Sequence, residues 1–190
     1  LPVRVAAAPV RAELACTQAL PYGDGPIRIV PGPQDDCFTA AAMETLLGHD
    51  YVVTKETDRM GMRLDGPALE HSKGADIVSD GIATGCIQVP GAGMPIVLLA
   101  DHQTIGGYPK IATVASADLP RLGQMVPGQR LHFAGIGVTQ AEALRRRQEA
   151  EFTRLIAGLS PARPVGGIDI EALRRENLID GMIDALSRGQ

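Results

Sequence analysis

Short apolar runs separated by glycine- and proline-rich connections fill residues 27 to 137. Runs such as IRIV, CIQV and IVLLA are rich in β-branched residues and have the length of strands, and the first two run directly into a proline. Proline cannot donate to a strand ladder, so these runs must stay short. About eight such runs, one of them over residues 77 to 79, and two short helices predict a mainly β fold. Closure into a mainly antiparallel barrel would leave no strand edge exposed.

Changes in composition divide the chain into three segments. Residues 1 to 26 mix Ala, Pro and Gly without periodicity, which is typical of a linker or of the remnant of a missing N-terminal half. Residues 27 to 137 contain the predicted barrel. From residue 138 to residue 190 the sequence is rich in charged residues with apolar ones at helical spacing, which predicts C-terminal helices.

The helices have recognisable start and stop signals. Asp36 is expected to cap a short helix that Gly48 ends. Thr139 and Glu142 have the spacing of a capping box and are expected to begin the long helix that follows the barrel. One or two further amphipathic helices are predicted over residues 168 to 190.

Composition excludes several classes of function. The net charge is -4, aromatic residues make up 3% of the chain and Trp is absent, so neither a basic patch nor a stacking platform for nucleic acid is expected. No apolar run approaches the roughly 20 residues that span a bilayer. Cys16, Cys37 and Cys86 form no CxxC pair, which predicts no disulfide framework and no metal site and favours a reducing, cytoplasmic setting.

Residues 95 to 109, PIVLLADHQTIGGYP, join an apolar strand to a polar, glycine-rich loop. The strand ends at Asp101 and so delivers a carboxylate at the end of a rigid element. The loop then supplies amide, hydroxyl and phenol groups and two positions without a side chain: Gln103, Thr104, Tyr108, Gly106 and Gly107. The alternative interpretation is a tight turn capped by Asp101.

Polar residues also lie at the ends of other strands or inside them. Asp58 and Arg59 precede the run MGMRL, and their structural interpretation is a surface ion pair. Asp80 stands before Gly81 and is interpreted as a hairpin-turn residue. Gln88 could be the amide of an edge strand, but an amide inside the apolar run CIQVP needs partners, which a substrate amide or a loop backbone could supply.

Together these groups suit a small molecule that carries an amide. A carboxylate accepts from an amide N–H, whereas amide, hydroxyl, guanidinium and backbone donors bind a carbonyl oxygen or a developing oxyanion. Asp101 is therefore the candidate acceptor or base, and Arg59 the candidate clamp for a carboxylate or oxyanion. The candidate substrate-binding groups are Asp58, Gln88, Gln103, Thr104 and Tyr108, with Gly106 and Gly107 as backbone donors.

The ordered set of segments resembles a known family. The segments are IRIVPGPQ, TDRMGMRLDGP and the stretch from IVSDGIATGCIQVP through LADHQTIGGYPKIATVASADLPRLGQ to the later PGQRLHF. They are similar to the C-terminal half of the KipA, or allophanate hydrolase subunit 2, family. That family includes the C subunit of 5-oxoprolinase and resembles the carboxyltransferase domain of urea carboxylase. The resemblance implies a cyclophilin-like barrel and a KipI-like partner subunit, separate or fused.

The resemblance implies a subunit of an ATP-dependent 5-oxoprolinase-type complex that opens 5-oxoproline to glutamate, with ATP as co-substrate. A LamB-like neighbour would point to the same activity. Two alternatives remain open: a carboxyltransferase component that uses carboxybiotin and urea, and a regulatory protein that binds KipI. A prolyl isomerase rests on fold analogy alone, and the scarcity of aromatic residues counts against it. The upstream half of such proteins has no counterpart in residues 1 to 26, so a composite site would need other chains or segments.

Overall fold

The computed structural model describes residues 14–16, 18 and 22–161. Within them the strands and helices are, in chain order, β1 (Leu14–Ala15), β2 (Ile27–Pro31), a 3₁₀ turn (Asp35–Cys37), α1 (Ala40–Gly48), β3 (Asp50–Val53), β4 (Gly61–Asp65), β5 (Asp80–Gly81), β6 (Cys86–Gln88), β7 (Ile96–Leu98), β8 (Ile105–Gly106), β9 (Lys110–Val114), α2 (Leu119–Leu122), β10 (Arg130–Gly135), α3 (Val138–Ala157) and β11 (Ser160–Pro161). None of these helices is long and apolar enough to cross a membrane.

Seven strands close into a barrel, in the order β10, β2, β9, β6, β7, β4 and β3, with β3 pairing back onto β10. Six of the seven junctions are antiparallel, and the junction between β10 and β2 is parallel. The mainly β, closed and mainly antiparallel barrel predicted from the sequence is therefore confirmed. Its strand number is seven, because the run predicted at residues 77 to 79 has no partner in the barrel.

The barrel interior is filled by alternate residues of its strands, as the two-residue period of β structure requires. Ile27 and Ile29 of β2 are at most 2% exposed, and the residues between and beside them are more open. Tyr51 of β3 and Phe133 of β10 lie in the same core, with ring centroids 6.0 Å apart. The inward-facing side chains of the strands together form one continuous apolar core.

A two-stranded ribbon lies outside the barrel. It is formed by β5 and β8, with Asp80 opposite Gly106. Two flanking bonds extend it: the Ile77 N–H donates to the Gly107 oxygen at 2.8 Å, and the Ile82 N–H to the Thr104 oxygen at 3.0 Å. Below, "the ribbon" means residues 77–82 and 104–107. Residues 77–79, which were expected to form a barrel strand, belong to this ribbon instead. The short strands β1 and β11 pair with each other in a separate antiparallel sheet.

The cap predicted for α1 is wrong. Thr39 caps α1, since its Oγ1 accepts from the Ala42 N–H at 3.1 Å, whereas Asp36 lies in the preceding 3₁₀ turn and pairs with Lys73. The sequence predicted the end of α1 at Gly48 correctly.

The long helix α3 begins at Val138, one residue before the predicted cap Thr139. Thr139 therefore lies inside the first turn, and the predicted capping box is not formed. The Gly137 N–H instead donates to the Gln140 side chain at 3.1 Å. The helices predicted for residues 168 to 190, and most of the linker predicted for residues 1 to 26, lie outside the described residues.

Candidate functional site

A buried amide, Gln88, lies on the outer face of the barrel. Its neighbour Ile87 pairs with Val97, and both belong to the core. Because side chains alternate along a strand, Gln88 is directed to the opposite face. It is nevertheless only 2% exposed, and its Nε2 donates to the backbone oxygen of Tyr108 at 3.3 Å. Of the partners considered for an amide inside the run CIQVP, the structure provides a loop backbone, in the loop that follows the ribbon.

The ribbon approaches this amide closely at Gly106, where there is no room for a Cβ atom unless neighbouring side chains move. A Cβ atom added to Gly106 would lie 2.7 Å from Ile82 Cδ1 and 2.9 Å from Gln88 Nε2. The same point is 3.6 Å from Gln103 Nε2. Two carboxamide groups therefore flank Gly106, one from the barrel wall and one from the loop.

A cavity of about 220 Å³ opens beside these amides. Its lining combines carboxylate, amide, guanidinium and apolar groups: Glu56, Asp58, Met60, Gly61, Arg63, Gln88, Ile96, Leu98, Gln103 and Tyr108. The volume is below the roughly 300–1,000 Å³ of pockets that hold drug-sized ligands. Such a cavity suits a small molecule with several hydrogen-bonding groups and a short apolar part.

Asp58 shapes the turn between this cavity and a second one. Its Oδ1 accepts from the backbone N–H groups of Met60 at 2.8 Å and Gly61 at 3.0 Å, and its own N–H donates to the Gly61 oxygen at 3.2 Å. These bonds hold the chain as it enters β4. Both carboxylate contacts use Oδ1, so Oδ2 is left to accept a hydrogen bond from a ligand.

Arg59 and Asp101 form a two-point ion pair at the rim. Arg59 Nε lies 2.6 Å from Asp101 Oδ2, and Nη2 lies 3.1 Å from Oδ1. These hydrogen bonds lower the pKa of Asp101 and raise the pKa of Arg59. Both side chains are open to solvent, 82% for Arg59 and 49% for Asp101. Asp101 is therefore an ionised acceptor, and the guanidinium can exchange it for another carboxylate.

The second cavity, of about 660 Å³, lies on the other side of Asp58 and Arg59, beside α2. Its lining is mostly aliphatic and includes core residues: Thr57, Asp58, Arg59, Met62, Thr84, Leu99, Ala100, Leu119, Pro120, Leu122, Gly123, Met125 and Pro127. The hydroxyl of Thr57 is buried and has no hydrogen-bond partner among the described residues. The turn at Asp58 thus separates a small polar cavity from a larger apolar one.

The structure divides the predicted site residues into two groups. Asp58, Gln88, Gln103 and Tyr108 line the polar cavity, and Gly106 contacts the Gln88 amide. Arg59 lines the apolar cavity and is paired with Asp101, which lines neither of the two. Thr104 and Gly107 contribute carbonyl oxygens to the ribbon.

A buried ion pair next to this site was not predicted from the sequence. Lys110 begins β9 and is 1% exposed, and its Nζ lies 3.0 Å from Asp80 Oδ2. Gln34 bridges the pair, since its Nε2 donates to Asp80 Oδ2 at 2.9 Å and its Oε1 accepts from the Lys110 N–H at 3.2 Å. These bonds, led by the one from Lys110, lower the pKa of Asp80. A lysine at the start of an otherwise apolar strand, KIATV, was the available signal.

Comparison with known proteins places this barrel among carboxyltransferase domains. A family model described as "Carboxyltransferase domain, subdomain A and B" matches residues 1–135. The C subunit of the 5-oxoprolinase of Escherichia coli K12 is 36% identical over 129 residues, which cover 68% of this chain and 42% of that protein. The protein of the same name from Haemophilus influenzae is 37% identical over 123 residues, 65% of this chain and 40% of that protein.

A solved structure has the same fold. The crystal structure of the Kluyveromyces lactis urea amidolyase superposes with a TM-score of 0.64 over 68% of this chain and 8% of that one, at 24% sequence identity. The chain thus spans less than half the length of these relatives. The family model nonetheless covers more than half of the chain, and the two bacterial relatives retain over a third of its residues in the aligned region. The chain belongs to the family of carboxyltransferase domains, subdomains A and B.

Proposed function

We propose that this chain is a subunit of an ATP-dependent 5-oxoprolinase-type complex, which opens 5-oxoproline to glutamate together with a KipI-like subunit. The observation that carries the proposal is the 220 Å³ cavity, in which two carboxamides and two carboxylates converge. The 36% identity to a protein named as the C subunit of 5-oxoprolinase supports it. Because the chain spans 42% of that relative, the proposal concerns an assembled complex in which other segments complete the site.

The groups of the substrate match the groups of the cavity. In 5-oxoproline, the lactam oxygen can accept from the carboxamides of Gln88 and Gln103, which would also stabilise the negative charge that forms as water attacks the carbonyl carbon. The lactam N–H can donate to the free Oδ2 of Asp58. Arg59 does not line this cavity but is 82% exposed beside Asp58, so its guanidinium would turn from Asp101 to the substrate carboxylate and release Asp101 as acceptor or base for the attacking water.

ATP does not fit this cavity. Glu56 and Asp58 place two carboxylates on its wall against the single guanidinium of Arg63, which lies 3.8 Å from Glu56. The net negative charge of this lining would repel a triphosphate, and the volume of the cavity suits a much smaller molecule. We therefore propose that ATP binds in another part of the complex.

Reconstitution tests the proposal. The chain is expressed with KipI-like and LamB-like subunits, and consumption of 5-oxoproline is measured with and without ATP. Gln88→Leu roughly keeps the volume of the side chain but removes the amide, so KM should rise about tenfold or more and kcat should fall, since the amide is proposed to stabilise the developing negative charge. Asp101→Asn should lower kcat. The control Gln124→Leu changes an exposed amide whose one bond among the described residues is to the Pro120 oxygen, and it should change neither constant. A complex that binds tightly but converts no 5-oxoproline would favour a KipI-binding regulator.

The apolar cavity favours a second candidate function, carboxyl transfer in a urea carboxylase-like system. Its 660 Å³ could hold the ring system of carboxybiotin, with the polar cavity beyond Asp58 left for urea. A biotinylated carrier charged with labelled carboxylate would then lose its label to urea in the presence of the complex. Transfer of label without 5-oxoproline turnover would favour this candidate over the first.

A further inference from the structure

The ion pair between Lys110 and Asp80 is unusual because its two ends differ in exposure. The Lys110 side chain is 1% exposed, and the Asp80 side chain is 53% exposed. Lysine is almost never fully buried unless it is paired. In the described contacts Asp80 is the only group that Lys110 Nζ binds. The buried cation therefore depends on one carboxylate, and that carboxylate belongs to the ribbon.

The ribbon has few other attachments. An isolated two-stranded ribbon is marginally stable in water, so it needs packing or anchoring. Two of its four apolar side chains provide little packing, since Val78 is 92% exposed and Ile105 is 62% exposed, whereas Ile77 and Ile82 are half-buried. Asp80 Oδ1 also accepts from the Gly81 N–H at 2.7 Å, so one carboxylate joins the turn of the ribbon to the barrel wall.

The other side of the ribbon forms the boundary of the proposed substrate site. Gly106, opposite Asp80 in the ribbon, lies against the Gln88 amide. Gln103 and Tyr108, which line the polar cavity, directly flank the ribbon on either side of residues 104–107. A displacement of the ribbon at Asp80 would therefore move the two carboxamides relative to each other.

We propose that Lys110 is a positioning residue, which fixes the ribbon through Asp80 and thereby sets the spacing of Gln88 and Gln103 in the polar cavity. In its effect on substrate, this inference rests on the proposed function. The claim that Lys110 holds the ribbon in place depends only on the contacts of Lys110 and Asp80. Lys110 itself does not line the cavity and is expected to act only through Asp80.

The unequal burial predicts an unequal effect of the two single variants. Lys110→Met removes the cation but leaves Asp80 half exposed to solvent and still bonded to Gln34 Nε2 at 2.9 Å. Asp80→Asn keeps the shape and the acceptor for Gly81 but leaves a buried ammonium without an anion, which is the more costly state. Asp80→Asn should therefore lower the melting temperature more than Lys110→Met, and the double variant should recover most of the loss. An Asp80→Asn protein as stable as Lys110→Met would overturn the pairing.

Hydrogen exchange on the full chain tests the position of the ribbon. The amides of Ile77 and Ile82, which donate across it, should exchange about tenfold faster or more in Lys110→Met, whereas core amides such as that of Val97 keep their rates. Lys73→Met is the matched control, because it removes an exposed lysine whose 2.6 Å pair with Asp36 lies elsewhere. Unchanged exchange at Ile77 and Ile82 in Lys110→Met would contradict the proposal.

Kinetics on the reconstituted complex test the effect on substrate. Lys110→Met should raise KM for 5-oxoproline several-fold and also lower kcat, because the displaced carboxamides bind the lactam oxygen and stabilise the charge that develops on it. A KM equal to that of the wild type would refute the link to the cavity. If the wild-type complex itself turns over no 5-oxoproline, the proposed function fails, and the exchange rates still decide whether Lys110 positions the ribbon.

Discussion

Asp118 shows how a single buried carboxylate can join two elements. Its side chain is 1% exposed and precedes α2, while its partner Arg28 lies on β2. Oδ2 accepts from the backbone N–H and the Nε of Arg28, both at 2.8 Å, and Oδ1 accepts from Nη2 at 2.5 Å. Burial raises the pKa of Asp118, but the hydrogen bonds from Arg28 lower it by more, so the pKa lies below its usual value.

The lowered pKa makes stability depend on pH. Because the folded protein binds this proton more weakly than the unfolded chain, the stabilisation is fully present above the unfolded pKa of about 3.9 and is lost as the pH falls through the folded pKa. Asp118→Asn should lower the free energy of unfolding by about 1–3 kcal/mol at pH 7. It should also flatten the fall in stability between pH 5 and pH 2.

Urea unfolding of the wild type and the variant at several pH values measures both effects. Asp36→Asn serves as the control, because it removes a carboxylate whose pair with Lys73 is exposed on both sides. Its stability at neutral pH should stay close to that of the wild type. Parallel pH curves for Asp118→Asn and the wild type would show that Asp118 does not carry the pH dependence.

At the scale of residues, the sequence predicted polar groups better than their partners. Gln88 was interpreted either as an edge-strand amide or as an amide that needs partners, and the structure buries it against a loop backbone. Asp80 was interpreted as a turn residue and Lys110 was missed, because their pairing joins positions 30 residues apart. The pairing of Arg59 with Asp101 was missed for the same reason, since it depends on β4 lying next to β7. The local sequence pattern indicates which residues are buried, whereas the partner of a polar side chain depends on which strands lie next to each other.

At the scale of elements, the ribbon is where two adjacent glycines have different roles. A Cβ on Gly106 would meet Ile82 Cδ1 at 2.7 Å and Gln88 Nε2 at 2.9 Å, closer than real contacts allow. A Cβ on Gly107 would meet its nearest atom, the Ile77 oxygen, at 3.5 Å, which is ordinary contact. A side chain at position 106 would therefore force the ends of the Ile82 and Gln88 side chains, or the ribbon itself, to move, whereas one at position 107 would not.

We expect Gly106→Ala to push the ribbon away from Gln88, at a loss of about 1–3 kcal/mol in the free energy of unfolding. Gly107→Ala, the matched control, should stay within about 0.5 kcal/mol of the wild type. The side-chain NH₂ signals of Gln88 in an NMR spectrum should shift in the first variant and not in the second. Equal effects of the two substitutions would mean that the ribbon does not contact Gln88 as described.

Elements with strong alternation were predicted from the sequence, and short irregular ones were not. The strands β6 and β7 fall within the predicted runs CIQV and IVLLA, and β2 extends the run IRIV by one residue. The run at residues 77 to 79 was assigned to the barrel, but it joins the ribbon, because pairing partners are not encoded in a three-residue pattern. The caps Asp36 and Thr139 were misplaced by a few residues because several polar residues near each helix start could serve.

At the scale of the whole molecule, closure of the barrel depends on its last strand. β10 pairs with β3 in antiparallel and with β2 in parallel orientation, so it joins the two ends of the sheet. Alternation predicted a closed barrel, yet it could not predict a parallel junction, which follows from the path of the entire chain. Leu131 and Phe133 of β10 are 5% and 1% exposed and complete the core between Ile27 and Tyr51.

This closure predicts the outcome of two truncations. A chain that ends at Gly137 keeps β10 and loses α3. The polar contact described between α3 and the barrel is the bond from Gln148 Nε2 to the Ala117 oxygen at 3.0 Å. The shortened chain should unfold cooperatively in urea and give a dispersed amide NMR spectrum.

A chain that ends at Gln129 also loses Leu131 and Phe133, at about 2–5 kcal/mol each, and both ladders of β10. Since domains are stable by only about 5–15 kcal/mol, it should be unfolded. An unfolded Gly137-ended chain would show instead that the barrel needs the C-terminal segment, and that the boundary predicted after residue 137 is wrong.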